Sequence, residues 1–301
     1  MRIAITGATG LIGGALADAL VGDGHEVVRV TRSAARAGPG DVVWDPDGGT
    51  IDAAGLEGLD GVVHLAGEPI GDARWTDATK RRIHDSRTKG TDLLARTLAG
   101  LTAPPKVLVS GSAVGYYGDR GDEMLTESST AGDDFLARVC RDWEAAAEPA
   151  RAAGIRVIHP RTGVVIAREG PLIDKIELPF KLGVGGKVGS GRQYVPWISL
   201  TDEVRALRFL LEHDIDGPVN LAGPEPVTNA ELTKALGDVL HRPTVLPIPT
   251  LAVTALYGEM GRTLATVSQR VVPERLLASG FSFEHTDLRA ALALALHETG
   301  R

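Results

Sequence analysis

Cysteine is almost missing from this chain of 301 residues: Cys140 stands alone, so no internal disulfide can form and no cysteine-rich metal site can be assembled. Missing too are an apolar stretch long enough to cross a bilayer and a charged-then-apolar leader with a cleavage site, which leads us to expect a cytosolic protein. Charge of one sign is nowhere concentrated. The 32 Lys and Arg are dispersed among 39 Asp and Glu for a net charge of −7, a balance that offers no basic field to nucleic acid or anionic lipid. No His, Asp and Glu fall at metal-ligand spacing, so no metal site is expected, and neither a Ser-His-Asp set, an internal repeat nor a low-complexity segment is present. What remains is a 43% hydrophobic chain, enough for a substantial core in one or two domains.

Through the first half, short Val- and Ile-rich runs alternate with longer helical patterns, the arrangement that builds a doubly wound parallel sheet. The pattern predicts strands at about Arg2–Thr6, Glu26–Thr31, Val42–Trp44, Gly61–Ala66, Lys106–Ser110 and Arg156–Arg161, with helices at about Leu11–Gly22, Thr76–Ala99 and Asp133–Ala152. The turn-rich Arg36–Gly49 segment has room only for a short strand. After Arg161 the composition shifts. Gly and Pro become frequent from Gly170 to Pro196, around one helix near Ile173–Leu182. A helix at Asp202–Glu212 and a strand at Val219–Leu221 then read as a return to the main sheet, before a mostly helical tail that follows Thr286-Asp287-Leu288. We expect a dinucleotide-binding domain over 1–165, joined by 198–222, and a smaller, mostly helical substrate lobe over 166–301.

The first predicted strand runs directly into Gly7-Ala8-Thr9-Gly10-Leu11-Ile12-Gly13, which opens an amphipathic helix. In that context the glycines permit a tight turn, close approach of a pyrophosphate to backbone, and close helix-on-sheet packing. The pyrophosphate meets the unpaired N–H groups and positive dipole end of the helix. The second strand ends in Thr31-Arg32-Ser33, where an NAD site would place an acid for the ribose 2′-hydroxyl. A guanidinium there grips a 2′-phosphate instead. At roughly 1.5–3 kcal/mol per charge-assisted hydrogen bond, one arginine shifts preference about ten- to a hundredfold, so NADP(H) is the expected cofactor.

Further motifs identify the chain as resembling the extended short-chain dehydrogenase/reductase superfamily, and within it an atypical, epimerase-like subfamily. They are His64-Leu65-Ala66-Gly67, Ser86-Arg87-Thr88-Lys89-Gly90-Thr91, Ser112-Ala113-Val114-Gly115-Tyr116-Tyr117-Gly118, Pro160-Arg161-Thr162-Gly163-Val164-Val165, Gly191–Ile198 and Ser268–Leu276. The resemblance spans essentially the whole chain. It implies a nucleotide-binding doubly wound fold in which Leu65, Ala66 and Gly67 lie along the cofactor, Val165 lies near the nicotinamide, and Arg87 stands beside the dinucleotide where relatives carry an asparagine (Ser86 if the register slips by one). Arg82, more than a turn earlier, is a second guanidinium for the adenosine phosphate or simply a solvated helix residue. Relatives of this kind often pair as homodimers through the helices flanking the sheet.

One departure is chemical. Typical members carry a tyrosine and, four residues on, a lysine that lowers its pKa; alignment on Trp143-Glu144 puts Leu136 and Cys140 there instead. The catalytic candidates left are Ser112, which could bond a substrate carbonyl, and Tyr116 or Tyr117, of which at least one should overhang the nicotinamide. His64 is expected to be a core histidine with both nitrogens satisfied, and Cys140 to pack as a small hydrophobe. Lys175, Lys181, Arg192, Tyr194 and Trp197 could line a substrate cleft. The expectation is an NADP(H)-dependent oxidoreductase or epimerase-like enzyme for a small-molecule substrate; the alternative is an NADP(H)-binding sensor that catalyses little.

Overall fold

A computed structural model describes residues 1–297; the last four positions of the lobe expected over 166–301 lie outside the described residues. The first half contains strands β1 (Arg2–Thr6), β2 (Glu26–Thr31), β3 (Val42–Asp45), β4 (Thr50–Ile51), β5 (Gly61–His64), β6 (Val107–Ser110), β7 (Ser112–Ala113), β8 (Met124–Leu125) and β9 (Arg156–Thr162). Its helices are α1 (Leu11–Gly22), α2 (Asp77–Ala99), α3 (Phe135–Ala145) and α4 (Glu148–Ala152). The second half adds strands β10 (Val164–Ile166), β11 (Tyr194–Val195), β12 (Trp197–Ser199), β13 (Gly217–Leu221), β14 (Val227–Thr228) and β15 (Arg270–Val271). Helices α5 (Pro171–Lys181), α6 (Leu200–Glu212), α7 (Asn229–Leu240), α8 (Thr250–Thr266), α9 (Glu274–Ala278) and α10 (Leu288–His297) complete it.

The main sheet runs β13-β9-β6-β5-β1-β2-β3-β4, with the short β7 also beside β9. Its pairs are parallel except β3 with β4. Successive residues of a strand face opposite sides. Thus Ile3 and Ile5 of β1 join Leu16 and Leu20 of α1 and Leu207 and Leu210 of α6, while Ala4 joins Leu94 and Leu98 of α2 on the other side. Burial on both faces explains why these strands read as unbroken apolar runs. The strand order reverses between β1 and β5, and ligands of open α/β sheets bind at such a switch point, outside the strand C-termini.

Segment ends follow local chemistry. Thr76 and Asp134 accept hydrogen bonds from the backbone N–H of Thr79 and Ala137 and so start α2 and α3. Asp287 does the same for Ala290 at the start of α10. The helix expected over Asp133–Ala152 is broken between α3 and α4, where Pro149 lies in the first turn of α4, the helix position at which its missing N–H costs least. In the second half, Ile166, Ile173, Phe180, Trp197, Leu236 and Leu292 form a separate apolar cluster that joins α5, α7 and α10 to the β10–β12 pair.

Candidate functional site

At the switch point the turn after β1 meets the turn after β5. Gly7 has φ +69°, and a Cβ there would lie 2.9 Å from the carbonyl carbon of Leu65. Gly13 is held as tightly, since a Cβ would run into the Gly7 carbonyl oxygen. Between them Gly10 donates to the Gly7 carbonyl at 2.9 Å, and no side chain caps α1, which leaves its first-turn N–H groups for an anion. Thr9 and Gly10 are exposed, whereas Leu11 and Ile12 are half-buried against the sheet.

The turn after β5 is tied down by Thr6. Its hydroxyl accepts from the N–H groups of Leu65 and Ala66, both at 3.1 Å, and contacts His64 Nδ1 at 2.7 Å. His64 Nε2 contacts Thr91 Oγ1 at 2.9 Å, so both ring nitrogens of this fully buried histidine are partnered. Burial, then the nearby Arg87 charge, lowers its pKa to about 4. It is a neutral structural residue.

Arg32 stands exposed at the tip of β2, with no carboxylate partner among the described residues; beside it Thr31 Oγ1 accepts from Ser33 N–H at 3.2 Å. Arg87 reaches from α2 toward Gly67. Its Nη1 donates to the carbonyls of Glu68 (2.9 Å) and Ile83 (3.1 Å), and its guanidinium carbon lies 5.0 Å from the Trp143 ring centre. Desolvation lowers its pKa. Arg82 faces elsewhere, with its Nε 3.6 Å from Glu68 on an exposed surface. Val165 is half-buried in β10, packed on the core cluster that includes Ile198.

The three catalytic candidates separate. The Ser112 hydroxyl donates to Glu144 Oε1 at 2.7 Å. Tyr117 is fully buried, donates to Asn220 Oδ1 at 2.7 Å and accepts from Arg161 Nη1 at 3.1 Å. Burial, against the pull of Arg161, pushes its pKa up to about 12. Tyr117 is therefore a core residue whose hydroxyl is engaged within the protein. Tyr116 is half-buried, its ring lies 3.4 Å from the guanidinium carbon of Arg161, and its hydroxyl has no partner among the described residues.

The centre of this arrangement escaped sequence reading. Arg161, only 3% exposed, pairs with both oxygens of Glu144 (2.8 and 2.9 Å) while facing Tyr116 and Tyr117. Burial lowers the Arg161 pKa, but the Glu144 hydrogen bonds outweigh it and hold it above the ordinary value. Leu136 and Cys140, the replacements for the usual pair, lie against Gly115, and burial pushes the Cys140 thiol up to about 12. Of the cleft candidates, Trp197 is buried at 2% exposure, Lys175 bonds the Gly71 carbonyl and Lys181 pairs with Glu177. Among the described residues no acid and histidine cluster could hold a metal, and no helix is long and apolar enough to cross a membrane.

A glycine cradle at the switch point of a doubly wound sheet defines a dinucleotide-binding α/β protein of the short-chain dehydrogenase type. The chain belongs to the NAD dependent epimerase/dehydratase family, whose model matches residues 3–222; residues 248–295 match a domain of unknown function. An epimerase family protein of Mycobacterium bovis is 43% identical over 299 residues, 99% of this chain and 98% of its own. The human epimerase family protein SDR39U1 is 37% identical over 298 residues, covering 97% of this chain and 98% of its own. A crystal structure of human SDR39U1 (isoform 2) with NADPH matches at a TM-score of 0.90 and 35% identity, covering 99% of this chain and all 100% of that one.

Proposed function

We propose that this protein is an NADP(H)-dependent oxidoreductase or epimerase-like enzyme for a small-molecule substrate. The observation that carries the reading is Arg32: an exposed guanidinium with no carboxylate partner among the described residues, at the strand tip where a 2′-phosphate belongs. The NADPH in the human relative's crystal supports it. Gly7 and Gly13 let the turn close on the β5 turn and on α1, and the exposed Gly10, at an uncapped helix start, would let a pyrophosphate approach the first turn of α1, flanked by Thr9, Leu11 and Ile12. Thr31 and Ser33 shape the pocket edge around Arg32, and Leu65, Ala66, Gly67 and Val165 would line the cofactor's path. Arg87, with only Nη1 engaged, keeps donors for a ribose or phosphate oxygen; Arg82, facing Glu68, would act at longer range.

When bound, the nicotinamide supplies or accepts the hydride. Tyr116 is the chain's own contribution: of the three candidates only its hydroxyl is free to meet a ligand, as proton donor or as orienting group. Ser112, with its hydrogen committed to Glu144, can only accept, so it suits a hydroxyl on the ligand. The proposal includes the substrate lobe over 166–301, a cytosolic setting and pairing of two copies through helices that flank the sheet.

Fluorescence titration tests the cofactor. NADPH should bind at least tenfold tighter than NADH, and Arg32→Ala should weaken NADPH about ten- to a hundredfold while leaving NADH nearly unchanged. Equal affinities in the unaltered protein would sink the reading. A sensor that binds NADP(H) without turnover is the second reading, favoured by the internal hydrogen bonds of Ser112 and Tyr117. NADPH consumption across carbonyl, enone and sugar-nucleotide panels, lost in Tyr116→Phe, decides for the enzyme; binding with no consumption decides for the sensor.

A further inference from the structure

The C-terminal tail reaches back to the tyrosine loop. The β15 strand pairs with β8 through Arg270↔Met124 and Val271↔Leu125, and Val272 N–H donates to the Leu125 carbonyl at 2.9 Å. Just before it, Ser268 N–H donates to Asp119 Oδ1 at 3.1 Å, and Arg120 N–H donates to the Ser268 carbonyl at 3.0 Å. Between these anchors Gln269 turns inward. Buried to 8% exposure, it donates from Nε2 to the carbonyls of Val114 (2.9 Å) and Gly118 (3.2 Å).

Those two carbonyls bracket the turn that carries Tyr116. A single amide that holds both fixes the span of the turn, and Val271, fully buried with Val114 and Tyr117, supports it from beneath. On the other side the Arg161 guanidinium carbon lies 3.4 Å from the Tyr116 ring centre. The ring is thus held by the sheet, and the backbone of the turn by the tail together with Gly132, whose N–H donates to the Tyr116 carbonyl at 2.9 Å. Helix α3 packs on the Val114–Tyr117 turn through Leu136 and Cys140, which lie against Gly115, but it supplies no amide to the carbonyls of Val114 and Gly118 that Gln269 holds.

We propose that the segment Ser268–Val272 is a positioning strap for the Tyr116 loop and that Gln269 is its positioning residue. This gives the region of unknown function, residues 248–295, a role in setting a group over the site in the other half of the chain. The proposal rests on Tyr116 as the ligand-facing group, but its structural content is tested separately.

The test is Gln269→Met, which keeps the side-chain volume and removes both donors, in protein carrying 3-fluorotyrosine at its four tyrosines. With Tyr116→Phe to assign the signal, the Tyr116 fluorine resonance should move and broaden while that of the exposed Tyr257 of α8 stays fixed. The Gly118 amide should exchange about tenfold faster, and NADPH affinity should stay within about threefold. A folded Met variant with an unmoved Tyr116 resonance and unchanged Gly118 exchange overturns the strap. Should the variant fail to fold, exchange in the unaltered protein decides: one shared opening of Gly118, Arg120 and Val272 supports the strap, and independent, faster opening of Gly118 overturns it. Absence of NADPH binding in the unaltered protein removes the functional reading alone.

Discussion

Arg161 shows what a single residue can hide. Its motif was visible in the sequence, yet its partner Glu144 lies on α3 and its neighbours Tyr116 and Tyr117 on a separate turn, so the pairing exists only after β9 and α3 pack. The tight glycine turn after β1 and the place of Arg32 at the tip of β2 were legible because both belong to one strand-turn-helix-strand unit with local rules. Tyr117 was not, because its burial depends on Asn220 of β13, 103 residues away. The buried pair makes a prediction about stability. Arg161→Met leaves the Glu144 carboxylate without its cation and should cost about 3–5 kcal/mol, read as a lower urea midpoint. Adding Glu144→Met should restore part of that loss, because two apolar groups are cheaper to bury than one unpaired charge. A double variant no more stable than Arg161→Met would show that the ion pair is not what holds this corner.

At the scale of elements, the strands of the main sheet could be read from apolar runs because parallel pairing buries both faces. Less legible were elements defined by partners alone: β8 and β15 are two residues each and pair across nearly half the chain. The tail helix α8 contains another such feature. Gly258, at φ 66° and ψ −148°, bends it in a region open essentially only to glycine. The bend lets Met260 enter the cluster of Trp75, Ile83 and Val139, and Glu259 pair with Lys80 of α2 at 2.7 Å. A Cβ at Gly258 would touch nothing within 4 Å, so any penalty is backbone strain and not overlap. Gly258→Ala should therefore cost about 1–3 kcal/mol in thermal or urea unfolding. An unchanged midpoint would mean that the kink is not required for docking on α2.

For the molecule as a whole, buried titratable groups set opposing pH dependences. Burial lowers the pKa of His64 and His159 to about 4, so between that value and the ordinary 6.5 the unfolded chain binds protons that the native protein refuses. Stability must then fall as pH drops through this window, by about 3 kcal/mol for each histidine. Glu203 works in the other direction. Fully buried, with only Thr162 Oγ1 donating to it at 2.8 Å, its carboxyl is pushed up to about 8 by desolvation. Between 4.5 and 8 the native protein keeps this proton while the unfolded chain releases it, so stability falls as pH rises, by about 5 kcal/mol over the window. Glu127, also raised by burial, adds to the same side. With two histidines opposing on the acid side and none above their unfolded pKa, stability should peak near about pH 6 and decline both ways. Urea midpoints at about pH 4.5, 6 and 8 measure the peak, and Glu203→Gln should remove most of the loss between 6 and 8. A protein as stable at pH 8 as at pH 6, or a Gln variant that loses stability as the parent does, would show that Glu203 carries its charge in the fold.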